Sequence, residues 1–192
     1  MPKRIGVLAL QGAFREHAEA FTALGAEVAL VKRPEVLDSI DAIVLPGGES
    51  TTIDKLLDSS ELREPLTRLL RDGFPAFATC AGLILCATEV IDGRADQAPL
   101  GVLDVTVRRN GYGRQRESFE TSLAVRGLPD GEFPGVFIRA PVVERVGPEI
   151  DVLAEFDGAP VLGRAHDLWF AAFHPELSRD LRLHQLFVNE VC

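Results

Sequence analysis

Cysteine is scarce in this sequence. The 192 residues carry three, Cys80, Cys86 and Cys192, too few and too unevenly spaced for a disulfide framework. No C-x-x-C pair occurs, which excludes zinc-ribbon and thioredoxin-type motifs, and a reducing, cytoplasmic compartment is expected. Basic charge is also in deficit. Twenty Lys and Arg against 29 Asp and Glu leave a net charge of −9. Nucleic acid and anionic membrane both need a basic face, so neither is expected as a main partner. Long apolar runs are missing too, since none approaches the ~18 residues that span a bilayer. The run at residues 5–10 follows Lys3-Arg4 but is soon interrupted by Gln11 and Arg15-Glu16-His17, so it reads as a strand rather than a leader. No G-x-x-x-x-G-K-[ST] is present, and a P-loop is excluded.

What is there is an ordinary globular composition, 46% apolar and 26% charged, which excludes disorder and low-complexity arrays. With no repeat or linker signal, residues 1–192 are expected to form one domain. The first half alternates short apolar runs, at residues 5–10, 28–31, 42–45 and 75–79, with helical spacings. Phe14, Ala18, Phe21 and Leu24 mark one helix, stopped by Gly25; Leu62, Leu66, Leu69 and Leu70 mark another, stopped by Gly73. Thr51 and Asp54 have capping-box spacing, and residues 82–88 read as helix. The second half is richer in strands, expected at 100–107, 119–125, 136–139, 152–156, 160–163 and 168–173. It closes on an amphipathic helix through Leu183, Leu186, Phe187 and Val191. This predicts an α/β fold with a mostly parallel central sheet, helices on both faces in three layers, and extra strands in the second half. In such folds the active crevice lies at the carboxyl ends of the strands.

Three of the first four strands end in unusual chemistry: Gln11-Gly12, Pro46-Gly47-Gly48-Glu49-Ser50 and Thr79-Cys80-Ala81-Gly82. Cys80 sits between a strand and a helix, among the small residues Ala78, Ala81 and Gly82. That is the pattern of a nucleophile elbow, where a tight turn pushes the side chain into the crevice and helix amides point at the same spot. Cys86 falls inside the helix and reads as core. A cysteine nucleophile wants a base with an orienting carboxylate, and His174 and Glu176, two residues apart, would share one side of an extended segment; by itself His174-Pro175-Glu176 reads rather as a turn histidine with a solvated glutamate. Gly47-Gly48 lets backbone approach a ligand and presents amides to an oxyanion, and Glu49-Ser50 suits a small polar substrate. Arg109 and Arg139 suit a carboxylate. His17, His166 and His184 read as surface or packing residues.

These motifs resemble those of class I (triad-type) glutamine amidotransferases, a flavodoxin-like fold. More narrowly they are similar to those of glutaminase subunits of pyridoxal 5′-phosphate synthases. The matching stretches run from residues 6–12 with Arg15-Glu16-His17, through 45–52 and 79–83, to Arg109-Asn110 with Gly113-Arg114-Gln115, then 118–120, 135–141 and 173–177. The elbow departs from the usual G-x-C-x-G only in having Ala78 first.

The resemblance implies Cys80 as nucleophile, His174 as base and Glu176 as its orienting carboxylate. Glutamine would be held by Gly48, Glu49, Ser50, Arg109 and the Ile138-Arg139 segment. Gly47, Gly48 and Ala81 would serve the oxyanion, with Gln11 involved in activation. It further implies L-glutamine as substrate, partnership with a synthase subunit in a large hetero-oligomeric complex, and no metal or cofactor, pyridoxal 5′-phosphate being the pathway product. The glutaminase of imidazole glycerol phosphate synthase would share the triad but not the segment at 109–115. A redox-sensing cysteine protein on a similar fold would not need His-Pro-Glu.

Overall fold

Four short apolar runs build the middle of the molecule. β1 (Arg4–Leu8), β3 (Ala42–Leu45), β4 (Ala76–Thr79) and β12 (Leu168–Ala171) are buried along nearly their whole lengths, as strands covered on both faces must be. They pair in parallel, β12 with β4, β4 with β3 and β3 with β1, and β2 (Glu27–Val31) extends the parallel set beyond β1. β11 (Ala159–Ala165) joins β12 antiparallel, and β10 (Asp151–Phe156) joins β11 antiparallel. The resulting seven-stranded order is β10-β11-β12-β4-β3-β1-β2. This computed structural model describes residues 2–111 and 118–191. The Gly113-Arg114-Gln115 stretch and Cys192 lie outside the described residues.

Chain direction decides which face each helix covers. β1 to β2 steps one way along the sheet and β3 to β4 the other, so right-handed crossovers place their connections on opposite faces. α1 (Phe14–Ala23) covers one face with α5 (Arg182–Val191), and Phe77 of β4 stacks on Phe187 of α5 at 5.4 Å. α2 (Ser50–Ser59), α3 (Arg63–Arg71) and the short α4 (Ala81–Cys86) lie on the other. A Cβ at Gly82 would collide with the Leu45 carbonyl, so glycine there lets α4 start directly against the end of β3.

The extra strands form two small sheets of their own. β5 (Ala87–Ile91), β6 (Leu103–Arg108) and β9 (Val142–Val146) make one; β7 (Ser118–Leu123) and β8 (Phe133–Ile138) make the other. β6 delivers Arg109 and β8 delivers Ile138-Arg139 to the crevice.

Several expectations fail locally. The helix predicted over 82–88 ends at Cys86, and Thr88 lies in β5, where the β-branched residues of Thr-Glu-Val-Ile favour strand. β9 carries no strand expectation, and the strand expected at 100–107 begins only at Leu103. The capping box at Thr51 and Asp54 does not form. Glu49 is the N-cap residue, the Thr51 hydroxyl donates to Glu49 Oε1 at 3.2 Å, and Asp54 turns inward to a 2.7 Å ion pair with Arg63. A buried carboxylate with a guanidinium partner outweighs a cap at a helix end.

Candidate active site

Cys80 is the residue between β4 and α4, and its backbone is strained there, with φ 47° and ψ −100°. Non-glycine residues avoid this region, and it persists only where the surroundings enforce it. Here the Cys80 amide donates to Ala171 O of β12 at 2.8 Å, and α4 begins at the next residue. The thiol sits 5% exposed, with Sγ 4.0 Å from Ile138 O. Ala78 is a regular strand residue in register with Leu45 and Phe170. The strain falls on Cys80 itself, so alanine at the first elbow position is compatible with the turn.

His174 lies three residues beyond the end of β12 and is pinned by its amide, which donates to Val136 O at 2.8 Å. The segment that follows is not extended as expected. Pro175–Leu177 is a 3₁₀ turn, because proline sets the φ of a first helical turn. The turn swings Glu176 back under its neighbour, and His174 Nδ1 lies 2.7 Å from Glu176 Oε1. Burial acts to lower the His174 pKa, but hydrogen bonds to Cys80 and Glu176 outweigh it and raise it to about 10. Burial pushes the Glu176 carboxyl upward, yet the His17 and His174 rings prevail and hold it below its ordinary range. Both effects favour a charged imidazole on a charged carboxylate.

The loop after β3 closes over this pair. A methyl group at Gly47 would strike the His174 ring and crowd Cys80 Cβ. The Gly47 amide donates to Thr79 Oγ1 at 3.1 Å, and its carbonyl accepts from Ala13 at 2.9 Å. Gln11 Oε1 accepts the Glu49 amide at 2.8 Å, tying the loop to the end of β1. Arg109 reaches Glu49 Oε1 at 3.1 Å. Gly48 is exposed and Ser50 is buried at the head of α2. Ile138 is 38% exposed, and Arg139, at φ 43°, is exposed as well. Direct contacts bring Cys80, His174, Glu176, Gly47, Glu49, Gln11, Arg109 and the Ile138 carbonyl together at one end of the sheet, with Ala81, Gly48, Ser50 and Arg139 next to them in the chain. Cys86 is fully buried, and burial pushes its thiol up to about 12, an inert state.

The other three histidines are surface or packing residues as expected, but two of them also carry polar contacts that this expectation does not include. His166 is exposed, as expected, beside Glu149. His17 and His184 pack in the core against Phe21 and Phe77. Both are fully buried, joined to each other at 3.1 Å, and His17 Nε2 lies 3.1 Å from Thr79 Oγ1 and 3.3 Å from Glu176 Oε2. The sequence does carry a signal for this. His17 falls on the apolar stripe of α1 with Phe14 and Phe21, and His184 lies between Leu183 and Phe187, so each occupies a core position.

A strained cysteine at the carboxyl edge of a parallel sheet, facing a histidine on a carboxylate, belongs with the class I glutamine amidotransferases. A solved structure described as a glutamine amidotransferase superimposes with a TM-score of 0.91 at 47% identity, covering 97% of this chain and 98% of that one. PurLQS from Thermotoga maritima shares the fold at a TM-score of 0.69 and 15% identity, over 98% of this chain and 99% of the matched one. The SNO glutamine amidotransferase family matches residues 7–192, and the chain belongs to that family. Pyridoxal 5′-phosphate synthase subunit PdxT of Mycobacteroides abscessus is 52% identical over 191 residues, 100% of this chain and 98% of its own length. The protein of the same name from Geobacillus kaustophilus is 50% identical over 188 residues, 98% and 94%.

Proposed function

We propose that this chain is the glutaminase subunit of a pyridoxal 5′-phosphate synthase, hydrolysing L-glutamine and passing the ammonia to a synthase subunit. The relatives that match nearly its full length carry that name. The observation that carries the chemistry is the 2.7 Å His174–Glu176 bond beside a cysteine held at positive φ.

Arg109 offers paired donors to the glutamine α-carboxylate, Glu49 and Ser50 take its polar groups, and the Ile138-Arg139 backbone closes the other side. The Cys80 thiolate attacks the carboxamide carbon. The oxyanion is met by the Gly48 and Ala81 amides, while Gly47, whose amide is held by Thr79, shapes the loop. The C–N bond breaks as the His174 imidazolium gives its proton to departing ammonia, leaving a γ-glutamyl thioester. His174, now neutral, takes a proton from water; the hydroxide forms the new C–O bond, the C–S bond breaks, and glutamate leaves. Only side chains and backbone amides are used, with no metal or cofactor.

Ammonia released into water would be protonated and lost, so the product passes directly to the partner. Gln11, which holds the loop through the Glu49 amide, lies where docking would be sensed, and the isolated chain works slowly until the synthase subunit binds. Among the described residues no helix is long and apolar enough to cross a membrane; the cytoplasmic assignment rests on the scarcity of cysteine. The test is a glutaminase assay with and without the synthase subunit. Wild type should be stimulated, Cys80→Ala should be inactive in both, and a glutamine-analogue affinity label should modify Cys80. Ordinary turnover by Cys80→Ala with the partner present would overturn the mechanism.

A further inference from the structure

Behind Glu176, on the side away from Cys80, lies a buried polar cluster that the mechanism above does not use. Glu176 Oε1 is taken by His174, but Oε2 has no well-aligned hydrogen-bond donor and faces His17 Nε2 at 3.3 Å. The same Nε2 lies 3.1 Å from Thr79 Oγ1, the hydroxyl that accepts the Gly47 amide. On the far side of the ring His17 Nδ1 meets His184 Nε2 at 3.1 Å, and His184 Nδ1 is buried without a partner. Carboxylate, hydroxyl and two imidazoles are thus enclosed between α1, α5, β4 and the 3₁₀ turn.

Counting donors selects one arrangement. With a proton on His17 Nδ1, its Nε2 lone pair would face the Glu176 carboxylate, and His184 would be left with a buried N–H that nothing accepts. With the proton on Nε2, that N–H lies between Thr79 Oγ1 and Glu176 Oε2. Nδ1 then accepts from His184 Nε2–H, and of the four ring nitrogens only His184 Nδ1, an acceptor, remains unpaired. An orphaned buried donor beside a repelled carboxylate is the costlier state.

We propose that His17, held as its Nε2–H tautomer by His184, is a positioning residue for the triad. It fixes the second oxygen of Glu176, so that the first stays aimed at His174, and through Thr79 it couples this carboxylate to the Gly47 loop. The groups facing His17 are Glu176 from the 3₁₀ turn, His184 from α5, His174 at longer range and Glu16 on its own helix. The fully buried ring stays neutral among them, because burial is the largest influence on it and pushes its pKa down. A neutral donor can orient the carboxylate without cancelling the charge that His174 needs.

The inference rests on the glutaminase reading, but its first test does not. In ¹⁵N-histidine-labelled wild-type protein, His17 should show a protonated Nε2 and a bare, hydrogen-bonded Nδ1. A protonated Nδ1 would overturn the proposal whatever the variants do. His17→Phe preserves ring volume and removes the donor, whereas His17→Gln returns an N–H near the Nε2 position. In the complex with synthase subunit, His17→Phe should lower kcat about 10²-fold, the scale of an ångström of misplacement, with little change in KM for glutamine. The pH midpoint for alkylation of Cys80 should move upward, because a loosened Glu176 supports the His174 imidazolium less well. His17→Gln should recover most of both effects. A folded His17→Phe with wild-type kcat and alkylation profile would refute the positioning role. Loss of Cys80→Ala activity with an unshifted His17→Phe profile would leave the glutaminase reading intact and remove only this one.

Discussion

His174 and Glu176 form a 2.7 Å hydrogen bond across a single intervening proline. The two side chains meet because Pro175 starts a 3₁₀ turn, which carries the carboxylate back beneath the ring. Strand, proline and turn together hold the imidazole at one orientation to Cys80, and the predictions below follow from how tightly that orientation is enclosed.

The first concerns the charge on His174. Its hydrogen bonds to Cys80 and Glu176 overcome burial and raise its pKa to about 10. In an NMR titration of the wild type the ring should remain protonated through neutral pH. Cys80→Ala removes one of the two supports, so the midpoint should fall, and Glu176→Gln should lower it as well. Glu176→Gln should cost up to about 10⁴-fold in kcat, the scale seen when an orienting carboxylate is neutralised. An unmoved His174 titration in both variants would show that neither group holds the ring.

Gly47→Ala tests the closeness of the loop. The added methyl would run into the His174 ring and crowd Cys80 Cβ, and the loop cannot retreat freely, since Ala13 and Thr79 hold Gly47 on both sides. The expected result is a fall in kcat of about 10²-fold or more with a circular dichroism spectrum like wild type. Unimpaired turnover would mean that the loop moves away from His174 during the reaction.

Arg109 is paired with Glu49 at 3.1 Å, its side chain 17% exposed. Arg109→Ala should raise KM for glutamine while leaving the alkylation of Cys80 by a small unselective thiol reagent nearly unchanged. A carboxylate-bearing substrate needs the guanidinium, and a small alkylating agent does not. Equal losses in the two assays would indicate that the wall of the site had collapsed.

Acid should destabilise the fold through its buried histidines. Burial, reinforced by the neighbouring His17 ring, lowers the His184 pKa to about 3. The unfolded chain protonates this residue near 6.5 and the folded one does not. The unfolded state therefore binds more protons, and the stability present above pH ~6.5 is lost as pH falls toward ~3. One such group contributes up to about 1.4 kcal/mol per pH unit. Urea unfolding between about pH 6.5 and 5, above the range where Glu176 titrates, should show this slope, and His184→Leu should flatten it. An identical slope in the variant would assign the acid sensitivity elsewhere.

The alternation of buried strands and helices is written in local chemistry, and so is the place of each reactive group along the chain. Runs such as Ala42–Leu45 are apolar throughout because both faces are covered, and small residues around Cys80 announce a tight turn. The turn at Cys80 and the Gly47-Gly48 loop are legible that way; His174 and Glu176 stand out only through the resemblance, and they meet through a 3₁₀ turn rather than the expected extended segment. Other features depend on partners far away in sequence. Thr51 and Asp54 have the spacing of a cap, but Arg63 claims Asp54. Residues 87–91 pair as a strand because β6 is there to receive them. His17 looks like one more helix residue until α5 brings His184 against it and the 3₁₀ turn brings Glu176 from the far end of the chain. A sequence by itself determines what each residue is able to do; only the tertiary structure decides which distant group a buried imidazole must satisfy, because the cost of an unpaired polar atom is set by the neighbours that exclude water from it.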